Sequence, residues 1–292
     1  MEAYRTPDDR FAGLPGCPFE PSYLEQDGLR MHYVQEGSGD PLLLLHGEPT
    51  WSFLYRTMIP PLAAVAHVIA PDYFGFGRSD KPTRLEDYSY DFHYSSIERL
   101  ADALDLREAT VVVQDWGGPI GLRLAVERPD RVGRLVILNT GVGAGRAPSP
   151  EWLRFRDFVR RVGADLVPSH LVRISAVTET DDAVLSGYDA PFPTPESKAG
   201  VLAFPELVPT ELDHPSAAKM LAVRDALERW EGPALVLFSD SDPIFTPAAA
   251  ERLASRIPGA GPAAIITGAG HFLQEERGEE IAARIARFLR ES

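Results

Sequence analysis

The sequence has one cysteine and no long apolar run. Because Cys17 has no second cysteine to pair with, an intramolecular disulfide is excluded, and we interpret this thiol as buried or incidental. A membrane-spanning helix needs about 18 consecutive apolar residues, and no stretch reaches that length. The polar and acidic segment 1–10 has no apolar core of a secretory signal. We therefore expect a cytoplasmic protein without a membrane partner.

Positive charge is also scarce. The 292-residue chain has a formal net charge of −14, and only three of its basic residues are lysines. Nucleic acids and anionic membranes select basic surfaces, so neither is an expected partner. The sequence also has no Cys/His cluster with the spacing of metal ligands, so we expect no metal and no cofactor. The expected partners are a small molecule and, at most, further copies of the chain, as a monomer or small homo-oligomer.

Short apolar runs do occur, and they alternate with amphipathic segments. This alternation predicts a mostly parallel β-sheet with helices on both faces. The predicted strands are 29–35, 41–45, 65–70, 110–113, 134–138, 234–238 and 263–267, and the clearest predicted helices are 117–127 and 275–290.

The alternation is interrupted between residues 139 and 234. Helical patterns at 151–162 and 216–229 are separated there by proline-dense loops. We interpret this stretch as a helical cap, 140–233, inserted into a core made of 1–139 and 234–292. In open α/β sheets the ligand crevice lies at the carboxyl ends of the strands, so the cap would cover it.

Asp115 is the central candidate for chemistry. It follows a β-branched run and precedes Trp116 and two glycines, Gly117 and Gly118, which open a predicted helix. This is the sequence context of a nucleophile elbow, in which a sharp strand-to-helix turn exposes a reactive side chain. An aspartate replaces the usual serine. The alternative is an inert helix N-cap.

Two further residues follow later strands in a meaningful order. Asp242 lies in a short loop after strand 234–238, and His271 lies in a glycine-rich loop after strand 263–267. Nucleophile, acid and histidine in this chain order are typical of α/β hydrolases. Asp240 is the rival acid, but we prefer Asp242 because the carboxylate needs several loop residues to reach His271.

The loop after strand 41–45 completes the predicted site. The backbone N–H groups of Glu48 and Trp116 are expected to form an oxyanion hole at Asp115. The Glu48 side chain has two interpretations: a solvated loop carboxylate, or a group that helps position the hydrolytic water.

An aspartate nucleophile selects the substrate class. A carboxylate that attacks sp³ carbon forms an ester, and water can cleave an ester, whereas the ether formed by a serine would persist. Alkyl halides or epoxides are therefore expected substrates. In this scheme His271 activates water, and Asp242 stabilises its imidazolium.

The motifs resemble those of the haloalkane dehalogenases, the first subfamily in particular. The resemblance runs from about Tyr23 to Phe288 and rests on segments 46–52, 72–82, 112–118 and 188–193. It implies an α/β-hydrolase fold with a mostly parallel eight-stranded sheet and an inserted helical cap. It also implies a halide site in which the indole of Trp116 and that of a second tryptophan bind the leaving ion.

The second tryptophan departs from the family pattern. Members of this subfamily have Phe-x-x-Trp on the first cap helix, whereas this chain has Trp152-Leu153-Arg154-Phe155. Residues i and i+3 share a helix face, so both rings could face the pocket. Three alternatives stay open: Trp152 binds the halide from one turn earlier, the site has one indole, or Trp152 packs the cap onto the core.

Three functions follow from these residues. The leading hypothesis is hydrolytic dehalogenation of haloalkanes to alcohol and halide through an ester on Asp115. Epoxide hydrolysis would use the same three residues, the triad of Asp115, His271 and Asp242. It also needs a tyrosine acid in the cap, and Tyr188 is the only tyrosine in that segment. A catalytically silent ligand-binding protein is the third hypothesis.

Overall fold

A twisted sheet of eight strands organises the computed structural model, which describes residues 1–145 and 147–292. The strand order is β10-β9-β8-β7-β4-β5-β3-β2, and only the β2–β3 and β3–β5 pairs are antiparallel. β1 and β6 form a separate two-stranded sheet. The strands are β1 (Ala3–Tyr4), β2 (Pro21–Gln26), β3 (Leu29–Gly37), β4 (Pro41–Leu45), β5 (His67–Pro71), β6 (Lys81–Pro82), β7 (Ala109–Val113), β8 (Val132–Leu138), β9 (Ala234–Ser239) and β10 (Ala264–Ile266).

Helices cover both faces of this sheet. The α-helices are α1 (Ile59–Ala63), α2 (Tyr90–Ala103), α3 (Gly117–Glu127), α4 (Pro150–Val162), α5 (Pro168–Ser175), α6 (Asp182–Asp189), α7 (Ala199–Ala203), α8 (Ala217–Leu227), α9 (Pro247–Ala254) and α10 (Leu273–Glu291). Short 3-10 helices occur at Asp8–Phe11, Ser52–Tyr55, Leu85–Asp87, Gly163–Asp165, Glu196–Lys198 and Phe204–Leu207. Within the described ranges, none of the helices is long and apolar enough to cross a membrane.

The central strands are buried on both faces, as a parallel sheet requires. Successive side chains point to opposite sides, so Val111 and Val113 pack with α2, α3 and α8, whereas Val112 packs with α1 and α10. The eight-stranded, mostly parallel sheet expected from the sequence is thereby confirmed.

The segment between β8 and β9 contains five α-helices, α4 to α8. α8 packs against α3, on the same face of the sheet as α2. α5 and α6 pack against each other, and α4 contacts the short helix Phe204–Leu207. The exact division into core and cap at residues 140 and 233 stays a prediction.

For the strands and helices that were predicted, each observed end lies within two residues of the predicted end. Several elements were absent from the prediction, among them one strand of the large sheet, β2, and the long helix α2. β2 (Pro21–Gln26) is a half-exposed edge strand with few apolar residues, so its periodicity is weak. α2 (Tyr90–Ala103) begins after Ser89, whose hydroxyl accepts a hydrogen bond from the Phe92 N–H at 3.1 Å, and this N-cap is its local signal.

A buried ionic cluster ties α6 to the core. Arg56 makes a bidentate pair with Glu275 at the start of α10, with N–O distances of 2.5 and 2.6 Å. The hydroxyl of Tyr188, at the end of α6, donates to the same carboxylate at 2.5 Å. The guanidinium also lies 4.2 Å from the ring centre of Phe53. Because these groups are shielded from water, each charge depends on its partner.

We expect Glu275→Ala to lower the free energy of unfolding by about 3–5 kcal/mol, because it leaves the buried Arg56 charge without a counter-ion. Urea denaturation followed by circular dichroism measures the change. Glu279→Ala, an exposed position on the same helix, is the control and should be neutral. The double variant Arg56→Met, Glu275→Leu should recover part of the loss, and a double variant as unstable as Glu275→Ala would contradict this explanation.

Candidate active site

The turn between β7 and α3 presents Asp115 in a left-handed backbone conformation, with φ at 47°. A Cβ on Gly117 would lie 2.1 Å from the carbonyl oxygen of Leu45, and a Cβ on Gly47 would lie 2.3 Å from Cβ of Asp115. Neither distance is physically possible for a real side chain, so only glycine permits these approaches. The elbow predicted from the sequence is therefore present.

This turn lies at the point where the strand order reverses. The chain passes from β4 to β5 on one side and later returns to β7 on the other, so the loops after β4 and β7 separate and leave a crevice. Across it, the backbone N–H of Glu48 donates to Oδ1 of Asp115 at 2.9 Å. The backbone N–H of Trp116 also hydrogen-bonds the carboxylate, and both bonds lower its pKa. The two donors expected of an oxyanion hole therefore meet at Asp115.

His271 and Asp242 come to the same place from the loops after β10 and β9. His271 Nδ1 lies 2.7 Å from Oδ2 of Asp242, and His271 Nε2 lies 3.6 Å from Oδ2 of Asp115. Asp242 is 3% exposed, and its other oxygen accepts the backbone N–H groups of residues 244 and 245. The rival acid Asp240 is exposed and instead accepts the Gly268 N–H at 3.0 Å. The structure brings Asp242, not Asp240, to the histidine.

Burial and neighbouring charges set the protonation states of these three groups. Burial raises the pKa of Asp115 above its ordinary value, and the His271 charge and the backbone donors only partly oppose it. For His271, burial lowers the pKa, but the charge of Asp242, the hydrogen bond to it and the charge of Asp115 outweigh burial and raise the pKa. Burial raises the pKa of Asp242, yet the His271 charge and hydrogen bond lower it overall. The pair therefore favours an ionised Asp242 beside His271.

The Glu48 side chain is buried rather than solvated. It is 6% exposed, and burial together with the nearby charge of Asp115 raises its pKa well above the ordinary range. Within the described residues, its Oε1 atom has no hydrogen-bond partner. The side chain lines the central cavity beside Asp115.

Sequence reasoning did not find two amides that hold His271. Nε2 of Gln114 lies 3.2 Å from His271 Nε2 and 3.3 Å from the His271 carbonyl oxygen. Nδ2 of Asn139 donates to the Gly270 carbonyl at 3.1 Å and contacts the His271 carbonyl at 3.3 Å. Gln114 immediately precedes Asp115, and Asn139 immediately follows β8. Their positions directly after strands were the only signal available.

A second layer supports the loop that contains Glu48. Burial lowers the pKa of His46 to about 4, so its ring is neutral. Its Nε2 accepts the Tyr73 N–H at 3.1 Å, which leaves Nδ1 protonated to donate to the Gly47 carbonyl at 2.9 Å. Asp72 accepts the Ser52 N–H at 2.8 Å from the same loop. These bonds fix the backbone that carries the Glu48 N–H.

Above the triad lies a mainly apolar cavity of about 1180 Å³, which exceeds the ~300–1,000 Å³ of usual ligand pockets. Asp115, Glu48 and His271 form part of its wall. The remaining wall comes largely from the segment between β8 and β9 and from the loop that follows β9.

Two of the four tryptophans line this cavity. Trp116 is 6% exposed and packs edge-on against Phe204, with ring centres 5.1 Å apart. Trp152 is half-buried on α4, whose N-cap Ser149 accepts the Trp152 N–H, and Phe155 lines the cavity from the next turn. The indole of Trp51 instead donates to the Gly187 carbonyl at 3.0 Å. Trp116 and Trp152 are thus the two tryptophans in the cavity wall.

Metal ligands were not expected from the sequence. In the part of the chain that the structure describes, no group of three or more His, Cys, Asp and Glu side chains is arranged to hold a metal ion.

A carboxylate on a nucleophile elbow, beside a histidine that is paired with a second acid, is the arrangement typical of α/β hydrolases. A family model described as "alpha/beta hydrolase fold" matches residues 40–278. The haloalkane dehalogenase of Mycobacterium marinum is 47% identical to this chain, over 98% of this chain and 99% of that protein. The haloalkane dehalogenase of Psychrobacter cryohalolentis is 43% identical over 100% and 99%.

A solved structure agrees with these relatives. The tetrameric haloalkane dehalogenase DpaA from Paraglaciecola agarilytica NO2 superposes with a TM-score of 0.93 at 36% identity, covering 97% of each chain. The chain therefore belongs to the haloalkane dehalogenase family of α/β hydrolases.

We expect Asp242→Asn to lower the pKa of His271, because burial continues to disfavour the imidazolium while the charge that supports it is removed. A pH titration of the histidine ring signals by NMR measures this value. Asp240→Asn is the matched control and should leave the pKa of His271 unchanged. The opposite result, a shift in Asp240→Asn alone, would assign the acid to Asp240.

Proposed function

We propose that this chain hydrolyses haloalkanes to an alcohol, a halide ion and a proton through a covalent ester on Asp115. The observation that carries the proposal is the line of Asp242, His271 and Asp115, with distances of 2.7 and 3.6 Å, beneath an apolar cavity. Such a site supplies a nucleophile and a base but needs only water as co-substrate.

The two oxygens of Asp115 have different surroundings. Oδ1 accepts the Glu48 N–H, whereas Oδ2 faces His271 at 3.6 Å. We therefore assign the attack on the halogen-bearing carbon to Oδ2. The new C–O bond forms as the carbon–halogen bond breaks, and its electron pair leaves with the halide. Oδ1 becomes the carbonyl oxygen of the ester, already in contact with its backbone donor.

Hydrolysis of the ester uses His271. Its Nδ1 is bound to Asp242, so Nε2 takes the proton from water while the water oxygen attacks Cγ of Asp115. Negative charge develops on Oδ1, where the N–H groups of Glu48 and Trp116 stabilise it. Collapse of this intermediate breaks the bond between Cγ and Oδ2, and the alkoxide takes the proton of the new hydroxyl to become the alcohol. The carboxylate is thereby restored, and His271 loses its proton to solvent. We propose that the buried Glu48 side chain, which lines the cavity beside Asp115, orients the attacking water.

The leaving halide would be bound by indole N–H groups. Trp116 is the first donor, since it lies beside Asp115 at the start of α3. Trp152 is the second candidate, because it lines the same cavity, whereas Phe155 has no N–H to donate. Hydrogen bonds to a charged partner contribute about 1.5–3 kcal/mol each, so a second donor would affect halide affinity strongly.

Epoxide hydrolysis is not favoured. The hydroxyl of Tyr188 is bound to Glu275, and the side chain is fully buried. Among the described residues that line the cavity, none is a tyrosine. The acid that ring opening needs is therefore not provided by Tyr188.

The substrates we propose are small apolar haloalkanes, and the segment 140–233 is the proposed cap over them. α4 and α5 from this segment contribute Trp152, Phe155, Leu171 and Ile174 to the cavity wall. The cytoplasmic location and an assembly no larger than a small homo-oligomer stay predictions.

We expect His271→Phe to release one bromide per active site from 1-bromobutane and then to stop, because the ester forms but is not hydrolysed. Intact-protein mass spectrometry should show the added butyl group, and peptide mapping should place it on Asp115. Asp115→Ala is the control and should release no bromide and gain no mass. A native protein that turns over styrene oxide but no bromoalkane would refute dehalogenation in favour of epoxide hydrolysis.

We expect Trp152→Phe to weaken bromide binding about tenfold, since one hydrogen bond to an anion is lost and about 1.4 kcal/mol corresponds to a factor of ten. Quenching of tryptophan fluorescence by bromide measures the dissociation constant. Trp116→Phe should weaken binding at least as much, and Trp230→Phe, which does not line the cavity, should have no effect. If Trp152→Phe binds bromide as the native protein does, the site has a single indole.

A further inference from the structure

Glu276, at the end of the first turn of α10, lies between the His271 loop and the segment that follows α5. Its Oε2 accepts the backbone N–H of Gly270 at 2.6 Å. Its Oε1 accepts the backbone N–H of Val177 at 2.8 Å and both the N–H and the hydroxyl of Thr178, at 2.6 and 2.8 Å. One carboxylate thus binds four donors from two separate parts of the chain.

The two parts are also joined directly through the backbone. The His271 N–H donates to the carbonyl of Ser175, the last residue of α5, at 3.0 Å. A Cβ on Gly270 would lie 2.0 Å from this carbonyl oxygen, so the approach requires glycine. Residues 174 to 177 line the cavity. The wall of the substrate cavity therefore contacts the loop that holds the histidine.

We propose that Glu276 is a positioning residue for ester hydrolysis: it fixes the His271 loop against the cavity wall and so sets the imidazole on Asp115. This inference rests on the proposed function. It assigns to Glu276 no contact with substrate. Its effect passes through the backbone of Gly270 to the adjacent His271.

The segment 176–180 depends on this carboxylate. It has no regular secondary structure. The backbone N–H groups of Val177 and Thr178 donate their hydrogen bonds to Glu276. The helix deviates immediately afterwards, since Arg277 has φ −139° and ψ 31°. This irregularity separates the first turn, which holds Glu276, from the rest of α10.

Loss of Glu276 should alter the orientation of His271 rather than unfold its loop. Gln114, Asn139 and Ser175 each retain a hydrogen bond to the backbone of residue 270 or 271. The first half-reaction needs Asp115 but not His271, whereas hydrolysis needs the imidazole at a defined place. A defect confined to hydrolysis is therefore the kinetic signature of a positioning role.

The test is Glu276→Gln, which keeps the shape of the side chain but replaces one acceptor oxygen by an NH₂ group. We expect hydrolysis of the ester to slow about tenfold, less than the ~100-fold that a 1 Å misplacement can cost. Alkylation should proceed at the native rate, with a burst of one bromide per site and accumulated ester seen by intact-protein mass. kcat and KM for 1-bromobutane should fall together. Glu279→Gln, exposed on the same helix, is the matched control.

A second readout does not depend on turnover. The His271 Nδ1–H in its 2.7 Å bond to Asp242 should give a downfield proton NMR signal, and Glu276→Gln should shift it or speed its exchange with water. Unchanged hydrolysis in Glu276→Gln overturns the proposal. So does an equal slowing of alkylation and hydrolysis with an unmoved NMR signal, which marks a purely structural residue. A native protein that releases no bromide refutes the proposed function, and the NMR signal then decides the role of Glu276.

Thr178→Val provides a milder variant if Glu276→Gln does not fold. It removes only the hydroxyl donor at Oε1, so hydrolysis should slow about twofold with alkylation unchanged. Native hydrolysis in a folded Thr178→Val, together with an unmoved NMR signal, counts against the proposal.

Discussion

The site depends on the close approach of two backbones, the end of β4 and the start of α3. Because Gly47 and Gly117 have no side chains, the turn that carries Asp115 can press against the loop after β4. Asp115 itself is held at a positive φ, a conformation that costs a non-glycine residue about 1–2 kcal/mol. Its N–H bond to the Asn139 carbonyl, at 3.0 Å, and the Thr140 hydroxyl on its own carbonyl hold it there. The backbone donor of Glu48 can reach the carboxylate only because of this approach.

Two adjacent acids on α10 join segments that are far apart in the sequence. Glu275 faces Arg56 and Tyr188 and ties α6 to the core. Glu276 faces a different part of the chain, Gly270 and the segment after α5. Consecutive residues on a helix point in different directions, so one turn serves both contacts. The attachment of α6 to the core and, in our proposal, the placement of His271 therefore depend on two adjacent residues, Glu275 and Glu276.

The sequence was sufficient to predict seven strands of the eight-stranded sheet, the elbow and the meeting of Asp115, His271 and Asp242, because each of the three follows a predicted strand and parallel strands end at one edge. It also placed the Glu48 and Trp116 backbone donors.

It could not predict that Glu48 is buried and without a partner at Oε1, since burial depends on packing. Gln114 and Asn139 could not be distinguished from ordinary residues at strand ends. The contacts of Arg56 with Glu275 and of Glu276 with Thr178 join residues about a hundred or more positions apart, and no local pattern reveals them. The strand β2 was missed because an edge strand needs little apolar periodicity.

The unequal surroundings of the Asp115 oxygens have a consequence for the origin of the product oxygen. In the mechanism we propose, the ester breaks between Cγ and Oδ2, so the alcohol carries away an atom of the protein. The incoming water oxygen takes the vacant place facing His271 and becomes the attacking atom of the next cycle. Oδ1, held by the Glu48 N–H, stays behind as long as the carboxylate does not rotate. Each alcohol molecule thus contains oxygen that entered from water one cycle earlier, and the enzyme retains an isotopic record of its previous turnover.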